Sequence, residues 1–248
     1  MKIISFDLSS ACIGVTVSEI DGETIIRVLS APIMPPNYSP TELGYMHSQK
    51  YLPAGRDGTL LNTYWMEGET SISKSEKERR DVEVRTARNN FIKDDISRQI
   101  SSFIQNVVPE LVIAEKNKIF HGILTSVLLG EIMGILEGVA GTYGIPVLKY
   151  DVQVARAPHN TSRLVMEYAS RHTESELRAL PDVAKAALRE KMVAKYGAYG
   201  FAPQTDDEGD SCVVFDYWFE QIYKKRNEPG RVNNGSTSRR RESRQRRG

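Results

Sequence analysis

The first thirty residues of the chain alternate between apolar and polar positions, as residues of β-strands with one buried face do. In the segment IISFD, Asp7 falls on the face opposite Ile4 and Phe6, and it closes the strand with a carboxylate. Two more apolar runs follow, separated by an Asp21-Gly22 pair, which is a strong signal for a β-hairpin. The pattern predicts three strands that pair antiparallel in chain order.

Further along the chain, apolar residues recur every three to four positions, which is typical of amphipathic helices. This spacing predicts helices at 84–107, 123–143, 161–172 and 176–196, with the pattern of 176–196 interrupted at Pro181, and a last helix that begins at Thr205 or Asp206. Two short apolar runs predict a fourth strand at 111–114, which runs straight into Glu115, and a fifth at 146–150. The order of elements predicts an α/β fold whose central five-stranded mixed sheet, three antiparallel strands and then two parallel ones, is flanked by helices.

Two segments interrupt this pattern. Residues 31–83 begin with a proline-rich stretch and continue as a polar run of mixed charge, which we interpret as an insertion. From Lys224 to Gly248 there are ten Lys or Arg and two acidic residues, so this end carries +8 and the rest −7 within a net charge of +1. We expect one domain, 1–226, and a disordered basic tail, 227–248. The tail fits a binder of phosphate backbones or a solubility or localisation segment equally well.

The composition is that of an ordinary globular protein, with 248 residues of which 40 % are hydrophobic and 26 % are charged. The two cysteines cannot form a disulfide framework, and they fit a reducing compartment. The sequence shows no signal-peptide pattern and no apolar run of the ~20 residues that span a bilayer. We therefore expect a cytoplasmic protein without a membrane partner.

Acidic residues fall at the ends of three predicted elements. Asp7 ends the first strand, Glu115 follows the fourth, and the segment TDDEGD opens the last helix. In a mixed sheet, strands one and four can be central neighbours, which brings the first two carboxylates together. In the third group Asp207 and Asp210 share one helix face, and so can Asp206 and Asp210. Each group alone is typical of a turn or a helix N-terminus, but their combination suggests a site.

Carboxylates that meet without a fixed basic partner repel one another, and divalent cations relieve that repulsion. Mg²⁺ prefers oxygen ligands and keeps several waters, so two or three carboxylates suffice for each ion. Two such ions about 4 Å apart can clamp the attacking and the leaving oxygen of a phosphodiester displacement. The acidic residues therefore suggest metal-assisted hydrolysis of a nucleic acid.

The sequence resembles the RuvC-type Holliday-junction resolvases of the ribonuclease-H-like nuclease superfamily. The resemblance covers residues 1–30 and roughly 84–223 and rests on IISFDLSSACIGVTV, LVIAEKNKIF, GEIMGILEGVAGTYGIPVLKY and DDEGDSCVVFDYW. It implies a ribonuclease-H-like fold and a crossover junction endodeoxyribonuclease that uses two Mg²⁺ ions, or Mn²⁺ in their place. The metal-binding and catalytic residues that it implies are Asp7, Glu115, Asp207 and Asp210, with Asp206 as the alternative to Asp207. The chain departs from the family in its larger insertion, its basic tail and its Leu8-Ser9-Ser10 turn.

The resemblance also implies residues that contact DNA. Phe120 matches an aromatic residue that can wedge into the centre of a junction, and packing at the start of the next helix is an equal alternative. Basic residues at matching positions are Lys116, Lys118, Lys149, Arg156, Arg163, Lys191 and Lys195. The expected partner is a four-way DNA junction, nicked in pairs by a homodimer in a bacterial or phage-infected cell.

A stripe of glycines lies on the second predicted helix, because Gly130, Gly134 and Gly138 recur every four residues. Such a stripe allows another backbone to approach closely. We favour packing of this stripe against the sheet, with a subunit interface as the alternative.

Three other functions fit parts of the pattern. Another ribonuclease-H-like enzyme, one that cuts RNA–DNA hybrids or acts as an integrase, would use the same acids on a different substrate. A sugar-kinase or actin-type ATPase also begins with a strand-one aspartate, but this chain has no second copy of that signature. A catalytically inactive DNA-binding relative would keep the acids for structure and would bind neither Mg²⁺ nor Mn²⁺.

Overall fold

The computed structural model describes residues 1–9, 12–34, 74–116, 123–180 and 182–227. The strands in these ranges are β1 (Lys2–Asp7), β2 (Ile13–Asp21), β3 (Thr24–Ile33), β4 (Leu111–Lys116) and β5 (Val147–Asp151). The helices are α1 (Lys74–Val107), α2 (Ile123–Thr142), α3 (Val152–Arg156), α4 (Thr161–Ala169), α5 (Glu174–Ala179), α6 (Val183–Tyr196) and α7 (Asp206–Tyr217). After α7 the chain continues through a π-helical segment, Trp218–Tyr223, into α8 (Lys224–Asn227). Among the described helices, none is long and apolar enough to cross a bilayer.

The five strands form one mixed sheet with the order β3-β2-β1-β4-β5. β1 and β3 each pair antiparallel with β2, whereas β4 pairs parallel with both β1 and β5. Gly22, in the hairpin between β2 and β3, has a φ of +53°, a conformation that glycine adopts without steric cost. The predicted fold class is confirmed: the sheet has three antiparallel strands followed by two parallel ones, with helices on both faces.

Alternation along β1 divides the core into two layers. Ile4 and Phe6 face α1 and α2, where they pack with residues such as Ile96. Ile3 faces the opposite way, towards α6 and α7, in a cluster that includes Phe215. Because side chains of a strand alternate, Ser5 and Asp7 lie on the predicted side, opposite Ile4 and Phe6, and this side faces α7.

Several boundaries differ from the prediction: among them, β4 runs on to Lys116 and α4 ends at Ala169. β3 continues to Ile33 and α1 begins at Lys74, ten residues before the predicted start, so both elements extend into the range 31–83. The first turns of α1 are a charged run without apolar periodicity, which is why the spacing of apolar residues did not mark them. The helical pattern at 176–196, which the sequence predicts to be interrupted at Pro181, forms two helices, α5 and α6, and Leu180 has the extended backbone expected before a proline. Residues 35–73 and the tail 228–248 lie outside the described residues.

The glycine stripe of α2 does not pack against the sheet, which corrects our favoured interpretation. Gly130, Gly134 and Gly138 are exposed, and a Cβ placed on any of them meets no atom of the described residues within 4 Å. The apolar residues Ile132 and Leu136, on the other side of α2, pack against the sheet. Periodicity identified the stripe but not the direction in which it points. The subunit interface stays a prediction.

Candidate metal and catalytic site

Four acidic residues converge where β1 and β4 end and α7 begins. Asp7, Asp207 and Asp210 each contribute one carboxylate oxygen, and these three oxygens lie within 4.8 Å of one another. Glu115 joins them because β1 and β4 are parallel neighbours in which Phe6 pairs with Ala114, so the next residues are Asp7 and Glu115. The carboxyl groups of Asp7 and Glu115 are close enough to share a hydrogen bond. We call Asp7, Glu115, Asp207 and Asp210 the acid cluster.

Thr205 and the four acidic residues of TDDEGD have different contacts at the start of α7. Thr205 is the N-cap: its hydroxyl accepts a hydrogen bond from the Glu208 N–H (3.3 Å), and the Glu208 carboxylate accepts one from the Thr205 N–H (2.8 Å). Asp206 forms an ion pair with Arg189 of α6, at 3.2 Å. The two remaining acids, Asp207 and Asp210, point into the acid cluster. The geometry therefore favours Asp207 over Asp206 as the ligand.

Buried hydroxyl groups hold α7 against the sheet. Ser5 Oγ donates a hydrogen bond to the Ser211 carbonyl oxygen (2.8 Å), and Thr16 Oγ1 and Ser211 Oγ lie 2.6 Å apart. All three residues are fully buried, so losing one partner would leave an unsatisfied polar group in the core. Sequence reasoning missed this contact, whose signal is a small polar residue at an inward position of two otherwise apolar strands. The hydrogen bonds position α7 so that its first turn reaches Asp7.

Two cations enter the acid cluster from neighbouring helices. Arg156, at the end of α3, donates from Nη2 to Asp210 Oδ2 at 2.7 Å. Lys185, in the first turn of α6, places Nζ 2.8 Å from Asp207 Oδ1, 3.1 Å from Asp210 Oδ2 and 3.9 Å from Asp7 Oδ2. Arg156 was predicted as a DNA contact, and Lys185 was not predicted at all. A lysine on an amphipathic helix has the sequence signature of a solvated side chain, so no local pattern identifies it.

The electrostatics of the acid cluster are those of a crowded anionic site. Burial, reinforced by Glu115 and Asp210, holds the pKa of Asp7 well above its usual range, and burial also raises the pKa of Glu115. Burial alone would lower the pKa of Lys185, but Asp210, Asp207 and Asp7 outweigh it and raise that pKa. Four carboxylates facing two cations leave an excess of two negative charges when all are ionised.

The residues present fit a divalent metal ion. The donor atoms in the acid cluster are all carboxylate oxygens, the ligands that Mg²⁺ and Mn²⁺ prefer. Asp210 Oδ1 is buried without a hydrogen-bond partner among the described residues, which leaves one acceptor free for a cation. The acid cluster can therefore hold a divalent metal.

The other residues predicted to contact DNA are scattered. Lys116 is exposed at the end of β4, whereas Lys118 and Phe120 lie outside the described residues. Four of the basic side chains have partners within the chain: Lys149 with Glu137 (2.6 Å), Arg163 with Glu167 (2.7 Å), Lys191 with the His159 carbonyl oxygen (3.4 Å) and Lys195 with Asp216 and Glu220. The pairs of Lys149 and Arg163 are exposed, and exposed ion pairs are weak enough to exchange for a phosphate, whereas Lys195 pairs with the buried Asp216. The DNA-binding role of these residues stays a prediction.

Comparison with solved structures found resolvases of the RuvC type. Thermus thermophilus RuvC in complex with a Holliday junction substrate is 11 % identical with a TM-score of 0.48, over 92 % of this chain and 97 % of that one. A second structure of Thermus thermophilus RuvC is 13 % identical to this chain, with the same TM-score and the same coverage of both chains. The yeast mitochondrial Holliday junction resolvase Ydc2 is 8 % identical with a TM-score of 0.38, over 90 % of this chain and 82 % of that one.

These resolvases belong to the class of protein that the sequence motifs resemble, and the similarity of the structures is one of overall fold. No family model matches the chain, and no curated protein matches it in sequence. The functional argument therefore rests on the residues of the acid cluster themselves.

Proposed function

We propose that this protein is a metal-dependent endodeoxyribonuclease that cuts four-way junctions and other branched DNA by paired nicks. The observation that supports it is the convergence of Asp7, Asp207 and Asp210 within 4.8 Å, with Glu115 beside them. Acids from two strand ends and a helix start, far apart in sequence, are expensive to gather unless a cation uses them.

In this proposal the acid cluster holds two Mg²⁺ ions, for which Mn²⁺ substitutes. When bound, such ions supply an activated water and stabilise the departing 3′ oxygen of a phosphodiester. Arg156 orients the Asp210 carboxylate through its 2.7 Å hydrogen bond. Asp207 and Glu115 are only partly buried, so the cluster is open on their side, where a DNA backbone can approach.

Incubation with defined substrates tests the proposal. A synthetic four-way junction, a flap, a linear duplex and an RNA–DNA hybrid are each incubated with Mg²⁺ or with EDTA. We expect paired nicks in the junction that depend on Mg²⁺, and little cutting of the linear duplex. If the RNA–DNA hybrid is cleaved and the four-way junction is not, the protein is instead another ribonuclease-H-like enzyme.

A second candidate is a catalytically inactive DNA-binding relative. The observation that favours it is Lys185, whose ammonium group contacts three carboxylates of the acid cluster and supplies positive charge without a metal. This candidate requires that the protein bind neither Mg²⁺ nor Mn²⁺. A calorimetric titration with Mn²⁺ distinguishes the two candidates, because only the nuclease should bind the ion.

Paired nicks require two sites, so we propose a homodimer in which the exposed glycine stripe of α2 faces its partner. A side chain at Gly134 finds open space within one chain, so Gly134→Arg should leave the monomer folded but prevent close approach of a second helix. The expected result is a shift in light-scattering mass from a dimer to the 27.9 kDa monomer, with circular dichroism unchanged. A dimer that survives Gly134→Arg would exclude this face as the interface.

The basic tail is proposed to strengthen DNA binding through phosphate contacts. Residues 227–248 contain seven arginines and two glutamates, so deleting them removes five net positive charges. We expect about tenfold weaker junction binding at 50 mM salt and almost no change at 300 mM, because counterion release dominates at low salt. A tail of equal length with the arginines replaced by glutamine is the matched control, and it should behave like the deletion. Equal affinity of all three proteins at low salt would leave the tail without this role.

A further inference from the structure

Lys185 lies beside three of the four residues of the acid cluster. Its ammonium group lies 2.8 and 3.1 Å from oxygens of Asp207 and Asp210 and 3.9 Å from an oxygen of Asp7, the same three residues whose oxygens converge. An ammonium group has three N–H donors and one charge, so it can satisfy several carboxylates at once. The position that Lys185 Nζ takes is therefore the position between the three acids.

A divalent ion held by the same carboxylates would need that position. An ion bound by Asp7, Asp207 and Asp210 together would have to lie between those three residues, where Lys185 Nζ lies. The ammonium group and the ion carry like charges, and the space between three oxygens within 4.8 Å of one another does not hold both. One must leave when the other arrives.

We propose that Lys185 is an exchangeable counter-ion of the acid cluster: it neutralises Asp207 and Asp210 without metal and is displaced when a divalent ion binds. The inference rests on the metal binding in the proposed function and adds a residue that competes with the metal. α6 itself stays in place, because Leu188, Met192 and Tyr196 of the same helix are buried against the sheet. Only the flexible lysine side chain, 29 % exposed, has to swing towards solvent.

Displacement would give Lys185 a second use. A lysine released from two carboxylates at the open side of the acid cluster is free to pair with a phosphate oxygen of DNA. Metal binding would then supply a DNA contact that the metal-free protein lacks. Arg156 does not have to leave when a metal binds, because it contacts Asp210 at 2.7 Å from another helix and does not bridge the three acids.

Mn²⁺ titration of the full chain tests the exchange by calorimetry. Lys185→Met removes the competitor and keeps the aliphatic stem, so we expect Mn²⁺ to bind about fivefold more tightly or better than to the wild type. Lys93→Met, on α1 across the sheet and paired with Glu131 at 3.0 Å, should bind Mn²⁺ as the wild type does. Equal or weaker binding by Lys185→Met would overturn the exchange alone. Absence of Mn²⁺ binding in both the wild type and Lys185→Met would refute the proposed nuclease function.

A second measurement uses the wild type and depends on no variant. Lysine acetylation by an activated ester, read by mass spectrometry, reports whether each ammonium group is engaged. Lys185 should be acetylated several-fold faster in Mg²⁺ than in EDTA, while Lys149 and Lys191 keep their rates. An unchanged Lys185 rate at a Mg²⁺ concentration where calorimetry shows binding would mean that lysine and metal coexist, and the proposal would be wrong.

Discussion

Asp7→Asn and Glu115→Gln are each expected to abolish cleavage of a four-way junction while leaving junction binding intact. Each substitution keeps the shape of the side chain but removes a carboxylate that the proposed function assigns to the metal. Loss of an ion that contributes several kcal/mol to the transition state slows the reaction about a thousandfold or more. Single-turnover cleavage and a gel-shift titration in Ca²⁺ measure the two effects separately. Wild-type cleavage by either variant would remove the basis of the nuclease assignment.

The adjacent pair Asp206 and Asp207 supplies the matched control. Asp206 is bound to Arg189 at 3.2 Å and lies outside the converging oxygens, whereas Asp207 lies among them. Asp206→Asn should therefore keep most of the wild-type rate, and Asp207→Asn should lose it as Asp7→Asn does. The reverse result would show that the α7 ligands are offset by one residue from the geometry described.

Loss of cleavage by Asp7→Asn should not come from unfolding. Burial, together with Glu115 and Asp210, raises the pKa of Asp7 in the folded protein, so ionised Asp7 costs the metal-free fold stability. Because the pKa of Asp7 is raised in the folded state, the contribution of Asp7 to the free energy of unfolding is greatest at low pH and is lost as the pH rises through that pKa. In EDTA at pH 8 the variant should be at least as stable as the wild type, and this advantage should shrink towards pH 5. Thermal unfolding across that range measures it, and a variant that is less stable at pH 8 would show that the attraction of Lys185 dominates.

Much of the acid cluster followed from the sequence because its parts depend on local or topological rules. Alternation in β1 placed Asp7 on the face opposite Phe6, and that face carries α7. The parallel pairing of β1 with β4 then placed Glu115 beside it. The cap at Thr205 fixed the start of α7.

The cations could not be predicted because their partners depend on tertiary packing. Lys185 comes from a helix whose apolar periodicity says only which face is buried, and Arg156 comes from α3, a five-residue helix that the spacing of apolar residues did not mark. Which carboxylate a long side chain reaches depends on how α6 and α3 cross α7, and no pattern in either segment records that. The glycine stripe of α2 shows the same limit, since its spacing was evident and its direction was not.

Gly14 allows the first turn of α7 to approach β2 closely beside Asp7. It lies in β2 directly opposite Asp7, and the space of its missing side chain is filled by the first turn of α7. A Cβ at this position would lie 1.9 Å from the Asp207 carbonyl oxygen and 2.6 Å from the Glu208 nitrogen, distances that Cβ atoms essentially never show. These are backbone atoms, so no rotamer change relieves the contact. The first turn of α7 must move by about 1 Å or more.

Gly14→Ala is therefore expected to damage cleavage and stability together. Displacing Asp207 by about 1 Å relative to Asp7 should slow cleavage about a hundredfold, because that is the sensitivity of reacting groups to misplacement. Overpacking should lower the free energy of unfolding by about 1–3 kcal/mol, measured by urea denaturation in EDTA. Gly197→Ala, whose Cβ would meet only Val193 Cγ1 among the described atoms, at 3.8 Å, is the matched control and should change neither quantity for the worse. Gly14 does not have a positive φ, so alanine can adopt the backbone conformation of β2 at this position. Wild-type cleavage by Gly14→Ala would therefore mean that α7 does not pack on β2 at this point, and the geometry that joins Asp7 to Asp207 would be wrong.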